Sequence, residues 1–453
     1  MAQGDAAHVE GYHTAASGDA SHAEGGGSRA FGLYAHAEGQ DTTAASAASH
    51  AEGYTTIAEG PYSHAEGQET QAKGHGSHAE GFKSESDASA SHAEGDSTAA
   101  RGNASHAEGG FTLAEGDYSH SEGFESAAKG FASHAEGDTT TAAGAYSHAE
   151  GSGTTAKGDA SHAQGEGTHA QGKASHAEGK GTSAHQLAAH AEGIQTVASG
   201  VGARAEGYQT TASGHLSTAG GKKTNTSKLS GASIVGKFGN ALESYAWHLA
   251  NGIDEANPGL AAKINQSGEA AIDRAWLAGG QHYAEMFETA NKEAIDYGFF
   301  VTFEGTEGKI RKAGKDDRYI LGITSKSPSL IGNAMELRWS QKYVTDEWGG
   351  IRYQQVTVPP LYDRTGSLIE PGHVEDQPVL NPKWNPKQPY LPRRLRPEWA
   401  AVSLLGQVLI RDDGSCVPGR SCRPSAAGVA TNAADGYRVM TRTGKNQVLI
   451  LFR

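Results

Sequence analysis

The chain has 453 residues, and 52 acidic against 38 basic side chains give it a formal net charge of −14. That acidity argues against a phosphate-backbone partner, which needs a basic footprint. No apolar run nears the roughly 20 residues of a spanning helix, so neither nucleic acid binding nor membrane insertion is expected. Length suggests two to four domains, and composition changes sharply near Lys222. Gly, Ala, Ser, Thr, His and Glu dominate before it, whereas all six Trp and both Cys follow it.

A histidine stands at every fourteenth position: His8, His22, His36, His50, His64, His78, His92, His106, His120, His134, His148, His162, His176 and His190, with Arg204 next in register. Most sit in Ser-His-Ala-Glu-Gly, as in Ser91-His92-Ala93-Glu94-Gly95. A strict period over nearly half the chain means one unit stacked on itself. Fourteen residues are too few for a helical hairpin and suit one coil of two short strands and two tight turns. Each coil divides into two sevens, and the Gly ending most of them is expected to supply positive φ. Strand alternation puts Ser and Ala on one face, His and Glu on the other. A two-strand coil has room inside only for the small residues, so His and Glu face out.

The second seven varies from Gln68-Glu69-Thr70-Gln71-Ala72-Lys73-Gly74 to Gly110-Phe111-Thr112-Leu113-Ala114-Glu115-Gly116, which suits solvent. The near-invariant His/Glu face is expected to meet the same neighbour at every coil, as a symmetric oligomer interface would provide. At about 4.8 Å per coil, some fifteen coils make a rod on the order of 70 Å long.

Glu recurs two residues after each register His (Glu10, Glu24, Glu38 and onward) and is interrupted by Gln164. Carboxylates stacked one coil apart repel unless compensated, and histidines of the same or a neighbouring chain are the nearest compensators. A structural, partly charged interface is preferred to a metal site, because metal ligands converge and a ladder does not. No metal and no cofactor are expected. Catalysis by a His–Glu pair is disfavoured, since fourteen equivalent copies offer no special microenvironment. The fourteen-residue unit with its small-residue and Gly signals resembles the head repeats of YadA-like trimeric adhesins over about residues 1–220. The resemblance implies a left-handed parallel β-roll in a homotrimer. Those heads usually carry aliphatic residues where this chain has His and Glu, so the seam is read as polar His–Glu pairs.

Residues 221–280 read as a connector. Lys222-Lys223-Thr224-Asn225-Thr226-Ser227 is polar, Ala241–Ala250 is either a helix or a short strand set, and Asn265-Gln266-Ser267-Gly268 marks a turn. From 281 to 453 a β-rich globular domain is expected, with strands at Phe299–Phe303, Lys309–Ala313, Tyr319–Ile323, Val402–Ile410 and Gln447–Leu451. The basic run Arg393-Arg394-Leu395-Arg396 lies in a Pro-rich loop and is read as solvated. Cys416 and Cys422 suit either a local disulfide or two inert thiols.

Over about residues 276–453 the chain resembles the self-cleaving intramolecular chaperone domain, of the G2 peptidase type, at the C-terminus of phage tail spikes and neck appendages. The resemblance rests on Tyr283-Ala284-Glu285-Met286-Phe287-Glu288, Tyr319-Ile320-Leu321-Gly322-Ile323, Trp339 with Lys342-Tyr343, Arg396-Pro397-Glu398-Trp399 and Asp412-Asp413-Gly414-Ser415-Cys416. It implies a scissile bond at Gln281–His282, Glu285 as the acidic catalytic residue, Glu288 as a secondary carboxylate, and release of the domain once a trimer has formed. His282 stands where the family usually has Asp, either as a substitute proton carrier or as a mark of lost cleavage. The plainer alternative makes Tyr283, Met286 and Phe287 the first core residues, with Glu285 on the surface.

The expected protein is thus all-β dominated and trimeric, a tail fibre or spike component of a phage or prophage-derived particle. It would be folded in the host cytoplasm and carried on the virion. Its roll would be a shaft for host-surface attachment. The expected partners are a cell-surface receptor or glycan and a phage tail or baseplate protein, and no activity on external substrates is expected. The alternative is a bacterial cell-surface adhesin head with an uncleaved trimerisation cap. No secretory signal is visible before the repeat, and the C-terminus lacks a run of membrane strands, both of which weigh against the adhesin.

Overall fold

The computed structural model describes residues 1–335, 342–362, 366, 368–370, 372–385, 387 and 389–453; Trp339 lies outside them. The chain divides into two compact units, residues 1–274 with 360–371, and residues 275–359 with 372–453. Among the described residues the regular structure is all strand, apart from one 3₁₀ turn at Arg393–Leu395.

The first unit is a parallel β-roll. Each register residue opens a five-residue strand, and a two-residue strand forms the other side of the coil. Successive long strands pair in parallel without slippage, His8 beside His22 and Glu10 beside Glu24. Short strands do the same, as Gln71–Ala72 lies between Ile57–Ala58 and Glu85–Ser86. The interior is Ala, Ser and Thr: within one coil Ser63, Ala65, Thr70 and Ala72 are at most 1% exposed. Buried hydroxyls find local partners, as when Ser63 Oγ donates to the Gly60 carbonyl at 2.7 Å. The outward set is the half-exposed His and Glu.

The glycines do two different jobs. Gly67, which closes Ser-His-Ala-Glu-Gly, has φ of +107°. Gly60, which closes the other seven, has no positive φ; a β-carbon there would lie 1.9 Å from the Gly74 carbonyl oxygen. The expected turn role therefore holds for the first kind, where a β-carbon would also lie 2.2 Å from the Gly81 oxygen, while the second marks close approach alone and gives way to Ser46, Ala88 and Gln186 in three coils. The remaining left-handed positions accept ordinary side chains, such as Ala90, Phe111 and Tyr118. Their N–H groups donate back to the preceding coil, as Tyr118 does to Asn103.

The parallel ladder runs beyond residue 220 through Thr218–Asn225, Ser233–Asn240 and Trp247–Asn251. The coil opened by Thr218 has fifteen residues, since Ser233 and not residue 232 pairs with Thr218. The extra residue is taken up in a turn where Ser227 and Lys228 both have positive φ. Ala241–Ala250 resolves as a turn and a strand. Its choice is made by pairing onto Ser233–Asn240, and His248 enters the interior at 0% exposure. His248 Nδ1 donates to the Ser233 carbonyl, and Nε2 accepts from the Leu242 N–H. Leu260–Ile264 and Ala270–Ile272 then add antiparallel and end the stack.

The second unit centres on the thirteen-residue strand Trp399–Arg411. Its first half pairs with His282–Glu288 and Gly322–Thr324, its second with Gln447–Phe452. Residues 319–321 only lead into Gly322–Thr324, so the expected Tyr319–Ile323 strand is displaced toward its C-terminal end. Phe300, Ile323, Val408, Ile410, Val448 and Ile450 supply the larger part of the core. Cys416 and Cys422 are free buried thiols, pushed up to about 11 and about 12 chiefly by burial. The basic run is tied into the domain, which corrects its reading as a solvated loop. Arg393 stacks on Trp399 at 4.0 Å and donates to the Asn333 carbonyl, and Arg396 donates to Leu391.

Two Gly→Ala changes separate the glycine roles. In Gly102→Ala the new β-carbon would meet the Gly116 carbonyl oxygen at 2.0 Å, whereas Gly76 (φ +62°) has open space around it. Chemical denaturation should show Gly102→Ala losing about 3 kcal/mol or more, and Gly76→Ala only about 1 kcal/mol. Equal losses would remove the close-approach explanation.

Candidate cleavage site and the histidine ladder

His282–Glu288 runs antiparallel to Trp399–Arg411, with His282 opposite Gly406 and Met286 opposite Ala401, and parallel to Leu330–Gly332. Strand alternation puts His282, Ala284, Met286 and Glu288 on one face, Tyr283, Glu285 and Phe287 on the other. His282 and Glu285 are therefore on opposite faces. Glu288 shares the face of His282 but lies six residues on, about 20 Å along the strand. The structure does not gather the three candidate residues into one cluster. Glu285 Oε1 accepts the Tyr283 hydroxyl at 2.5 Å, and that bond raises the Tyr283 pKa. The negative charge of Glu288 acts on Lys309 and Arg393. Met286 is a core residue at 2% exposure, and Phe287 packs edge-on to Phe303.

Around His282 a different set of groups converges. Its Nδ1 donates to the Gln407 carbonyl at 3.1 Å, which leaves Nε2 to accept the Ser325 hydroxyl at 2.6 Å. Burial lowers the His282 pKa, opposed by the Gln407 bond, so the neutral ring is favoured at neutral pH. The Gln281 carbonyl accepts the Gln407 N–H at 3.2 Å. The Gln407 N–H thus faces the Gln281–His282 bond, and the Gln407 carbonyl faces the His282 ring. The approach depends on Gly406 (φ +120°), where a β-carbon would sit 2.6 Å from the Gln281 oxygen. The His282 carbonyl is held by the N–H and the hydroxyl of Ser329, at 2.9 and 2.8 Å. Gln281, His282, Ser325 and Gln407 line one cavity of about 550 Å³. Ser325 and Gln407 escaped the sequence reading because they lie 43 and 125 residues from His282 and belong to no local motif.

On the roll, the register histidines stack. From His22 to His162 successive ring centroids are 4.7–4.9 Å apart and nearly parallel. The stack breaks between His162 and His176, whose planes cross at 80°, at the coil where Gln164 replaces Glu. Compensation runs along the strand: His78 Nε2 lies 3.4 Å from Glu80, and His50 Nε2 lies 3.8 Å from Glu52. Groups such as His50, Glu52 and His64 bring one potential metal-ligand atom each within 4.8 Å of one another. The near-parallel rings direct their Nε2 lone pairs side by side, which is not the convergent arrangement of a metal cage.

Burial first, and then the charge of adjacent histidines, lowers the pKa of His50, His78, His106, His134 and His162. These rings bind fewer protons folded than unfolded. Their contribution is thus fully favourable above the unfolded value of about 6.5 and declines as pH falls through and below it. The urea midpoint of the roll, followed by circular dichroism, should fall steadily from pH 7.5 to pH 5. A midpoint that rises on acidification would show that protonation of the ladder stabilises the fold.

Residues 259–447 match the family model described as Peptidase_G2, IMC autoproteolytic cleavage domain. The chain is 34% identical over 161 residues to the pre-neck appendage protein of Bacillus phage B103, covering 36% of this chain and 17% of that protein. It is 33% identical over 150 residues to the pre-neck appendage protein of Bacillus phage phi29, covering 33% of this chain and 16% of that one. The chain therefore spans about a sixth of the length of these curated relatives. Among solved structures, the C-terminal fragment of bacteriophage phi29 gene product 12 is 31% identical and aligns over 38% of this chain and 99% of that chain, with a TM-score of 0.31. The C-terminal part of the chain, with Gln281, His282 and Glu285 inside it, is thus similar to the autoproteolytic domain of phage appendage proteins.

Proposed function

We propose that the chain is a component of a phage or prophage-derived appendage, carried on the virion after folding in the host cytoplasm. Its roll is a shaft of three parallel chains whose His/Glu faces form a polar seam. The shaft serves host-surface attachment, to a receptor or glycan, and joins the particle through a tail or baseplate protein. The C-terminal domain registers the three chains and cuts itself off at Gln281–His282, with Glu285 as the acidic group. A head-repeat domain at 1–220, a connector at 221–280 and a chaperone domain at 281–453 are the functional divisions of this reading.

The observation that carries the reading is the match of residues 259–447 to an autoproteolytic domain, with the Gln281–His282 bond clamped between Gly406, Gln407 and Ser329 inside that stretch. Registration has a physical rationale: identical coils pair one coil out of step at little local cost, and a domain that joins three ends removes those alternatives.

The test is the intact mass of the full-length chain under denaturing conditions, beside Glu285→Ala. Two fragments meeting at Gln281–His282 in the parent, and one uncut mass in the variant, are expected. A parent that stays whole would refute self-cleavage. Sedimentation should give a trimer at neutral pH that weakens on acidification, and a monomer at all concentrations would refute the shaft.

A further inference from the structure

We propose that Ser325 is the nucleophile of the cut at Gln281–His282, with the imidazole of His282 as its base. This rests on the self-cleavage proposed above and adds a residue to it. Nucleophile and base must lie within hydrogen-bond reach, with the base oriented by a third group. Here Ser325 Oγ is 2.6 Å from His282 Nε2, and the Gln407 carbonyl, 3.1 Å from Nδ1, fixes the tautomer that leaves Nε2 free to take a proton. Ser325 is 8% exposed, and its own N–H is fixed by the Ala401 carbonyl at 2.8 Å. The fourth part is also present. The Gln407 N–H, 3.2 Å from the Gln281 oxygen, is a donor aimed at the atom that becomes negative on attack.

The step balances as an acyl transfer followed by hydrolysis. Ser325 Oγ bonds to the Gln281 carbonyl carbon, and its proton passes to His282 Nε2. The carbon–nitrogen bond of Gln281–His282 breaks, and the leaving nitrogen of His282 takes that proton through a water in the cavity. Gln281 is then an ester of Ser325. A second water attacks the ester and gives its proton to Nε2, which passes it to the leaving Ser325 oxygen, so that the Gln281 carboxyl group and the Ser325 hydroxyl are released. A Ser–His pair that only anchored the strand start would form no ester, so the test reads chemistry as well as folding.

The full-length chain would be expressed as parent, Ser325→Ala, Ser325→Cys and Glu285→Ala, and followed by intact mass. The parent would also be matured in neutral hydroxylamine. If Ser325 is the nucleophile, Ser325→Ala slows the cut by about 10³-fold or more and Ser325→Cys retains it. Hydroxylamine then converts part of the Gln281 terminus to a hydroxamate. Ser325→Ala cutting at the parental rate would overturn the assignment while leaving self-cleavage standing. So would a parent that yields only the free acid in hydroxylamine, a readout that needs no variant to fold. A parent that never cuts overturns both.

Discussion

The closeness of successive coils governs the first unit. In every coil a glycine lies where a β-carbon would meet the next coil's carbonyl oxygen at about 2 Å, as at Gly67, Gly95 and Gly151. That contact sets one spacing for the whole roll, the spacing of a parallel ladder. The chemistry of the outer face follows from it. From His22 to His162 the imidazoles carried at the same place in each coil stack at 4.7–4.9 Å, and burial first, then the charge of the neighbouring rings, lowers the pKa of His106 among them. The second cause is thus a consequence of backbone geometry, expressed through a repeated side chain.

The same uniformity leaves the roll poorly specified along its length. An interior of Ala, Ser and Thr offers each coil the same small burial, and a slip of one whole coil keeps every His beside a His. Features that break the repeat therefore carry the information about position. The fifteen-residue coil after Thr218, Ile234 and His248 in place of small interior residues, and the antiparallel strands after Leu260 occur together at one end. His248 is the strongest of these, because its two ring nitrogens need the Ser233 carbonyl and the Leu242 N–H at once. A misplaced coil would leave a buried imidazole without partners, which is costly.

What the sequence disclosed follows the same logic. A period of fourteen and an alternation of two are local patterns, so the β-roll, its small interior and its outward His and Glu were legible. The two kinds of glycine were not, since conformation and close approach both ask for the same residue. Nor was the end of the roll: Trp247-His248-Leu249-Ala250 is ambiguous by itself and becomes a strand because Ser233–Asn240 offers a free edge. At the candidate site the expected residues fall on one strand, but the groups around His282 were not legible. Ser325 and Gln407 reach His282 through sheet pairing across long loops, and nothing in their immediate neighbours marks them.

The imidazole of His282 is matched by its surroundings. Trp399–Arg411 exchanges one partner strand for another at Gly406 (φ +120°), and next to it the N–H of Gln407 meets the Gln281 carbonyl while its carbonyl meets the His282 ring. A carboxylate at that position would set acceptor against acceptor, whereas an imidazole presents an N–H. The opposite ring nitrogen is then an acceptor, and the group facing it is a hydroxyl, which can donate. A charged Asp could accept from the hydroxyl but would have no proton to give the Gln407 carbonyl. The side chain at 282 and its two partners form one consistent hydrogen-bonded chain, from the Ser325 hydroxyl through the ring to the Gln407 carbonyl. The two contacts together hold the His282 ring in one tautomer and one orientation.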